Sequence, residues 1–136
     1  LKIGFTNGCF DLIHSGHIDM FIKAAEKCDR LIIGINSDNS IKKLKGKQRP
    51  ILDIDARQKI IASLDMVDAV ICFEEDTPLK LIKYIKPNIL FKGADYKLDE
   101  IVGSKYVKSI GGKTIRIKLT KNQSTTRLVK MLNGSK

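Results

Sequence analysis

The chain contains two histidines, His14 and His17, and both lie in one short segment that follows an apolar run. They flank Gly16 where the pattern changes from a strand to a helix. A helix start offers an anion free backbone N–H groups and the positive end of the helix dipole. Imidazoles placed there can donate hydrogen bonds to phosphate oxygens as negative charge grows on them. The segment therefore predicts a nucleoside triphosphate site in which both histidines are catalytic.

The same histidines could instead form an HxxH metal pair. Zinc would need a third or fourth nitrogen or sulfur ligand. The candidates close in sequence are Cys9 and Asp11, and neither has a familiar spacing. We therefore expect no metal ion to be held by side chains, and we expect Mg²⁺ to enter through phosphate oxygens.

Strand and helix patterns alternate along the whole chain, which predicts a Rossmann-like α/β fold with a doubly wound, parallel, five-stranded sheet. We expect one domain over residues 1–136. Ligands of such sheets bind outside the carboxyl ends of the strands. The predicted strands are 3–5, 31–35, 67–73, 89–91 and 114–119, and the predicted helices are 17–28, a short one after 37–40, 53–64, 77–85, 99–110 and 125–132.

The loops after these strands carry the remaining polar candidates. Lys45 belongs to a basic patch at 42–49 and can place a charge on a phosphate, and Lys42, Lys47 and Arg49 are alternatives to it. Arg57, four residues after Asp53, fits either a nucleotide contact or a surface ion pair. The last two loops supply Gly93 and Asp95 after the fourth strand, and Ser124, Thr125 and Thr126 at the start of the last helix.

The composition limits the class of protein. The net charge is +10 and 43% of the residues are hydrophobic, but no apolar run approaches a membrane span. Little aromatic interleaving accompanies the lysines, so we expect neither a nucleic-acid nor a membrane partner. The three cysteines form no CxxC pair, which favours a reducing cytoplasm. The chain begins with Leu1, as expected of a piece of a longer polypeptide.

Together these residues resemble the cytidylyltransferase-like branch of the nucleotidyltransferase superfamily, whose hallmark is an HxGH loop. Further strings extend the resemblance over nearly the whole chain, to the adenylyltransferase domain that makes ADP-heptose for bacterial lipopolysaccharide. They are Asn36-Ser37-Asp38, Arg49-Pro50, Phe73-Glu74-Glu75-Asp76-Thr77-Pro78, Lys92-Gly93-Ala94-Asp95-Tyr96-Lys97, Glu100-Ile101-Val102-Gly103-Ser104-Lys105 and Ser124-Thr125-Thr126.

The resemblance implies an enzyme that transfers AMP from ATP to D-glycero-D-manno-heptose 1-phosphate and releases pyrophosphate. It further implies Mg²⁺, a homodimer, a cytoplasmic location and a heptose kinase that is fused to the chain or works with it. Catalysis is assigned to His14, His17 and Lys45. The residues expected at the nucleotide are Thr6, Asn7, Gly8, Phe10, His14, His17, Arg57, Gly93, Asp95, Ser124, Thr125 and Thr126, and those expected at the acceptor are Asp11, Lys45, Glu75 and Asp76.

Two alternatives remain open. A glycerol-3-phosphate cytidylyltransferase, which would use CTP, shares the HxGH and STT motifs. That family carries an arginine just ahead of its STT motif, whereas here the stretch is Leu119-Thr120-Lys121-Asn122-Gln123, in which Lys121 could substitute. The second alternative is a nucleotide- or nucleic-acid-binding module without catalysis, which the net charge of +10 would favour.

Overall fold

Five parallel strands form one sheet in the computed structural model, which describes residues 1–119. The strands are β1 (Ile3–Gly8), β2 (Arg30–Asn36), β3 (Ala69–Phe73), β4 (Ile89–Gly93) and β5 (Lys113–Ile117). Their spatial order is β3-β2-β1-β4-β5, so the direction of winding reverses at β1. The structure confirms the predicted five-stranded Rossmann-like sheet. The predicted helix at 125–132, with Ser124, Thr125 and Thr126, lies outside the described residues, as does Lys121.

Five helices connect the strands and cover both faces of the sheet. They are α1 (Ser15–Ala25), α2 (Asp38–Lys45), α3 (Ile54–Ala62), α4 (Leu79–Ile85) and α5 (Ser104–Ser109). Side chains fix the starts of α2 and α3, since Ser37 Oγ accepts from the Ser40 N–H and Asp53 Oδ1 accepts from the Ala56 N–H. Among residues 1–119, no helix combines the length and apolar character that a membrane crossing requires.

The prediction of a helix over residues 99–110 is wrong for the first half of that range. A short 3-10 helix, Leu98–Glu100, comes first, and α5 begins only at Ser104. Gly103 separates the two with a φ of 91°, and a Cβ at this position would lie 2.7 Å from Ile82 Cδ1. A left-handed backbone in close contact with α4 therefore interrupts the helical pattern.

Two apolar clusters, one on each face of the sheet, hold the strands in place. On one face, Phe21 of α1 and Ile61 of α3 pack with Ile33 of β2 and Phe91 of β4. On the other face, the cluster consists of Phe5, Ile82, Leu90, Ile101 and Val107. Each of these large side chains stabilises the fold by about 1.5–3 kcal/mol when fully buried. Packing on both faces of the sheet thus holds the strands β1 and β4, whose carboxyl ends carry predicted site residues, in place.

Candidate active site

A cleft of about 600 Å³ lies at the carboxyl ends of β1 and β4. It is the edge of the sheet where a parallel α/β fold binds its ligand. The cleft brings together ten of the predicted site residues, namely Thr6, Asn7, Gly8, Phe10, Asp11, His14, His17, Lys45, Gly93 and Asp95. A second cleft, of about 630 Å³, lies beside α5, but the residues that line it include no histidine or cysteine.

The two imidazoles are stacked at the start of α1. Their centroids lie 3.9 Å apart, and the angle between the ring planes is 27°. His14 is the N-cap of the helix, and its Nδ1 accepts a 3.1 Å hydrogen bond from the Gly16 N–H. In return, His17 Nδ1 accepts a 3.2 Å hydrogen bond from the His14 N–H. The HxGH loop is therefore a capping box in which imidazoles take the places that Ser and Glu usually occupy.

This capping box fixes where each imidazole carries its proton. A neutral imidazole has one nitrogen that accepts and one that donates. Because Nδ1 of both rings accepts a backbone N–H, the proton of each neutral ring is on Nε2. Each histidine is therefore left with one Nε2–H donor that the helix cap does not use.

The surroundings of the rings also keep them neutral. Burial lowers the pKa of His14 below its ordinary value. Burial, together with repulsion from His14 and Lys45, lowers the pKa of His17 to about 4. Near neutral pH both rings are therefore uncharged donors, and the charge of Lys45 acts close to His17.

Phe10 supports this arrangement from a strained backbone position. Its φ is 47°, a left-handed value that costs a bulky residue free energy. The ring meets His17 edge-on, with centroids 5.3 Å apart, and meets Phe21 of the core in the same way at 5.3 Å. A Cβ on Gly8 would lie 2.9 Å from the Phe10 ring, so Gly8 makes room for that ring.

Asp11 lines the cleft, but protein donors already occupy its carboxylate. It accepts from the backbone N–H groups of Ile51 and Leu52 and from Arg49 Nε at 2.6 Å. Burial would raise the pKa of the Asp11 carboxyl, but these donors hold it below its ordinary value. The expected acceptor contact of Asp11 is therefore replaced by a structural role, in which it holds the segment ahead of α3 against the HxGH loop.

The structure contradicts both roles predicted for Arg57, a nucleotide contact and a surface ion pair, because its side chain is fully buried. The guanidinium donates to the backbone carbonyls of Cys9, Asn36 and Leu52, and Nη2 lies 2.6 Å from Asp38 Oδ1. It therefore joins the ends of β1 and β2 to the starts of α2 and α3. The surface ion pair with Asp53 does not form, and Arg57 lies behind the cleft instead of in its lining.

Glu75 and Asp76 lie away from the cleft, contrary to the prediction that they bind the acceptor. They follow β3, which β2 separates from β1. Both residues are exposed, and the Glu75 carbonyl accepts from Ser40 Oγ at 3.4 Å. This loop therefore packs against the start of α2, at the edge of the sheet.

Asp95 provides the free carboxylate of the cleft. Its Oδ1 lies over Gly93, and a Cβ added to Gly93 would lie 2.6 Å from this oxygen. None of the hydrogen bonds among residues 1–119 ends on the Asp95 side chain, and no group of three or more His, Cys, Asp or Glu in that range is arranged to hold a metal ion. Asp95 is therefore available to a ligand.

The structure also brings Lys92 and Tyr96 into the cleft, neither of which was assigned a contact from sequence, together with Arg49, which the sequence offered as an alternative to Lys45. Lys92 Nζ donates to the Asn7 carbonyl at 3.3 Å and lies 5.2 Å from the centroid of the Tyr96 ring. Burial lowers the pKa of Lys92. One signal was present in the sequence, since Lys92 ends a buried strand in the string that carried the resemblance.

Comparison with known proteins decides the family. The cytidylyltransferase-like family profile matches residues 5–131. The chain belongs to this family. It is a nucleotidyltransferase domain, and the resemblance found from its motifs is confirmed.

Relatives of this nucleotidyltransferase domain are longer than the chain. It is 50% identical over 134 residues to the bifunctional protein HldE of Caulobacter vibrioides and 52% identical over 135 residues to that of Nitrobacter winogradskyi. The matches cover 98% and 99% of this chain but 28% of each relative. The chain therefore corresponds to a little over a quarter of these bifunctional proteins.

Solved structures extend the comparison of the nucleotidyltransferase domain to the fold. The lipopolysaccharide core biosynthesis protein of Thermoplasma volcanium superposes with a TM-score of 0.74 at 30% identity, covering 88% of this chain and 98% of that one. A pantoate-β-alanine ligase of Francisella tularensis has a TM-score of 0.62 at 23% identity, covering 88% of this chain and 60% of that one. The second likeness concerns the fold alone.

Proposed function

We propose that the domain transfers AMP from ATP to D-glycero-D-manno-heptose 1-phosphate, giving ADP-heptose and pyrophosphate. The sequence strings that resemble ADP-heptose-forming domains support this substrate pair. The relationship to HldE proteins and to a lipopolysaccharide core biosynthesis protein agrees with it.

The paired Nε2–H donors of His14 and His17 carry the proposal. In this reaction an oxygen of the sugar phosphate attacks the α-phosphorus of ATP, and the bond from that phosphorus to the bridging oxygen breaks as pyrophosphate leaves. Negative charge grows on oxygens around the α-phosphorus, where fixed donors act best. Two neutral imidazoles, whose orientation the helix cap holds, supply such donors.

The other groups of the cleft position the phosphates. The start of α1 directs its dipole toward them, and Lys45 adds a charge close to His17. The nucleophile belongs to the substrate, so no side chain has to form a covalent intermediate. Catalysis then consists of positioning and charge stabilisation.

Mg²⁺ would arrive with the triphosphate and neutralise part of its charge. The donor set of the cleft fits this, since Asp95 has a free carboxylate whereas the lone pairs of Asp11 are engaged by Ile51, Leu52 and Arg49. We assign Asp95 as the side chain able to reach the ion or its water shell.

A substrate matrix tests the proposal. The domain is incubated with ATP or CTP, each with heptose 1-phosphate or glycerol 3-phosphate, and pyrophosphate is measured. We expect release with ATP and heptose 1-phosphate. Release confined to CTP and glycerol 3-phosphate would make the domain a cytidylyltransferase. Salt-dependent binding to DNA without any pyrophosphate release would instead indicate a binding module.

We also propose that the domain acts beside a heptose kinase and as a homodimer. The bifunctional nature of the HldE relatives supports the first part, because this chain accounts for 28% of their length. A kinase that phosphorylates the heptose would supply the acceptor. Sedimentation of the purified domain tests the second part.

A further inference from the structure

Lys92 is a partly buried cation that forms no direct ion pair among residues 1–119, although the nearby Asp95 carboxylate opposes the lowering of its pKa by burial. Both ion pairs among residues 1–119 involve arginines, Arg49 with Asp11 and Arg57 with Asp38. Within the same range, Lys92 Nζ has one hydrogen bond, to the Asn7 carbonyl, and the face of the Tyr96 ring. An ammonium group removed from water without a counter-ion in direct contact is unfavourable. In a cleft for phosphates, an anionic ligand can supply that direct contact.

Lys92 and Lys45 lie at different places in the cleft. Lys45 ends α2, is exposed, and acts on His17. Lys92 is the second-last residue of β4, beside β1, and donates a hydrogen bond to the Asn7 carbonyl. An exposed lysine suits the polyphosphate tail, which has to leave. A fixed lysine suits the phosphate that has to be held in line for attack.

We propose that Lys92 binds the phosphate group of the acceptor, and that Lys45, which was expected at the acceptor from sequence, serves the triphosphate instead. This inference rests on the proposed transfer reaction, and it states which residue binds the phosphate of the acceptor in that reaction. A sugar phosphate bound at Lys92 would also lie next to the Tyr96 ring and the Asp95 carboxylate, both of which line the same cleft. Tyr96 can contact a sugar hydroxyl, while Asp95 remains the side chain assigned to Mg²⁺, so the end of β4 would form the acceptor subsite.

Steady-state kinetics of Lys92→Met test this assignment. Loss of one charge-assisted contact should raise the KM for heptose 1-phosphate by about tenfold or more, while the KM for ATP changes by less than about twofold. Lys97→Met is the matched control, because Lys97 is exposed in the same loop and does not line the cleft. A raised KM for ATP alone, or no change in either KM, would overturn the proposal.

A binding measurement separates this inference from the proposed reaction. Inorganic phosphate should raise the melting temperature of the wild type and of Lys97→Met clearly more than that of Lys92→Met, which keeps only the phosphate contacts around His17 and Lys45. Without phosphate, Lys92→Met should melt close to the wild type, because the ammonium group that it removes is partly buried and forms no direct ion pair. A variant that unfolds, or that keeps the full phosphate response, would show that Lys92 is structural. Were the wild type to release no pyrophosphate, the reaction would be wrong, and the phosphate response would still test Lys92.

Discussion

His17 Nδ1 accepts the backbone N–H of His14 while the two imidazole rings stack with centroids 3.9 Å apart. One hydrogen bond thereby caps α1, fixes a proton on Nε2 and aligns the ring with its neighbour. Structural and chemical roles are thus combined in one side chain, and substitutions can separate them.

Replacing His17 should reduce turnover far more than stability. We expect His17→Ala to lower kcat by about a hundredfold or more, the usual cost of losing one preorganised donor. The lost cap should cost about 0.5–2 kcal/mol of unfolding free energy. His17→Gln is the informative control, since a glutamine at this position of a capping box can still accept the His14 N–H. It should recover the stability but not the turnover. Near wild-type pyrophosphate release from either folded variant would contradict the role of His17.

The free energy of unfolding should decrease as the pH falls through the range between the folded and the unfolded pKa values of the histidines. The folded state keeps His17 neutral down to a pKa of about 4, against an ordinary value of 6.5. Between these values the unfolded state binds more protons, so the free energy of unfolding decreases as the pH falls. The lowered pKa of His14 acts in the same direction.

Urea unfolding at about pH 7.5 and about pH 5 measures this effect. The loss of stability between the two should be smaller in His17→Gln than in the wild type, because the variant has one fewer group with a depressed pKa. An equal loss in both proteins would mean that His17 titrates normally in the folded state.

Arg57 should be a determinant of stability. Its removal leaves the carbonyls of Cys9, Asn36 and Leu52 without their donor inside the protein. We expect Arg57→Met to lose about 3–5 kcal/mol of unfolding free energy. Arg57→Lys should recover only part of it, because an ammonium cannot reach the same set of acceptors. Lys59→Ala, on the exposed side of the same helix, is the control and should change little. Unfolding curves that do not distinguish Arg57→Met from Lys59→Ala would refute the prediction.

Lys45 should affect nucleotide affinity. We expect Lys45→Ala to raise the KM for ATP by about tenfold, the size of one charge-assisted contact. Lys43→Ala is the matched control, since Lys43 is an exposed lysine of the same helix that does not line the cleft. Initial rates over a range of ATP concentrations provide the comparison. Equal effects of the two substitutions would point to a general effect of positive charge.

The sequence by itself determined the alternation of strands and helices and the location of the site. Apolar runs such as 31–35 predicted buried parallel strands, and the carboxyl ends of parallel strands share one edge of a sheet. The loops that follow β1, β2 and β4 therefore had to converge, which placed His14, Lys45 and Asp95 together. The helix beginning at 99 failed because the pattern does not reveal that Gly103 packs against Ile82.

Only the tertiary structure decided which polar groups are free to act. Asp11 and Arg57 looked like ligand contacts. The partners of Asp11 are 38 to 41 residues away along the chain, at Arg49, Ile51 and Leu52. The partners of Arg57 are 5 to 48 residues away and come from four different segments, at Leu52, Asp38, Asn36 and Cys9. Lys92 went unassigned, yet its ammonium group lies partly buried in the cleft and forms no direct ion pair among the described residues. Periodicity reports which residues face a core, whereas the availability of a polar atom depends on donors and acceptors that are brought together only by folding.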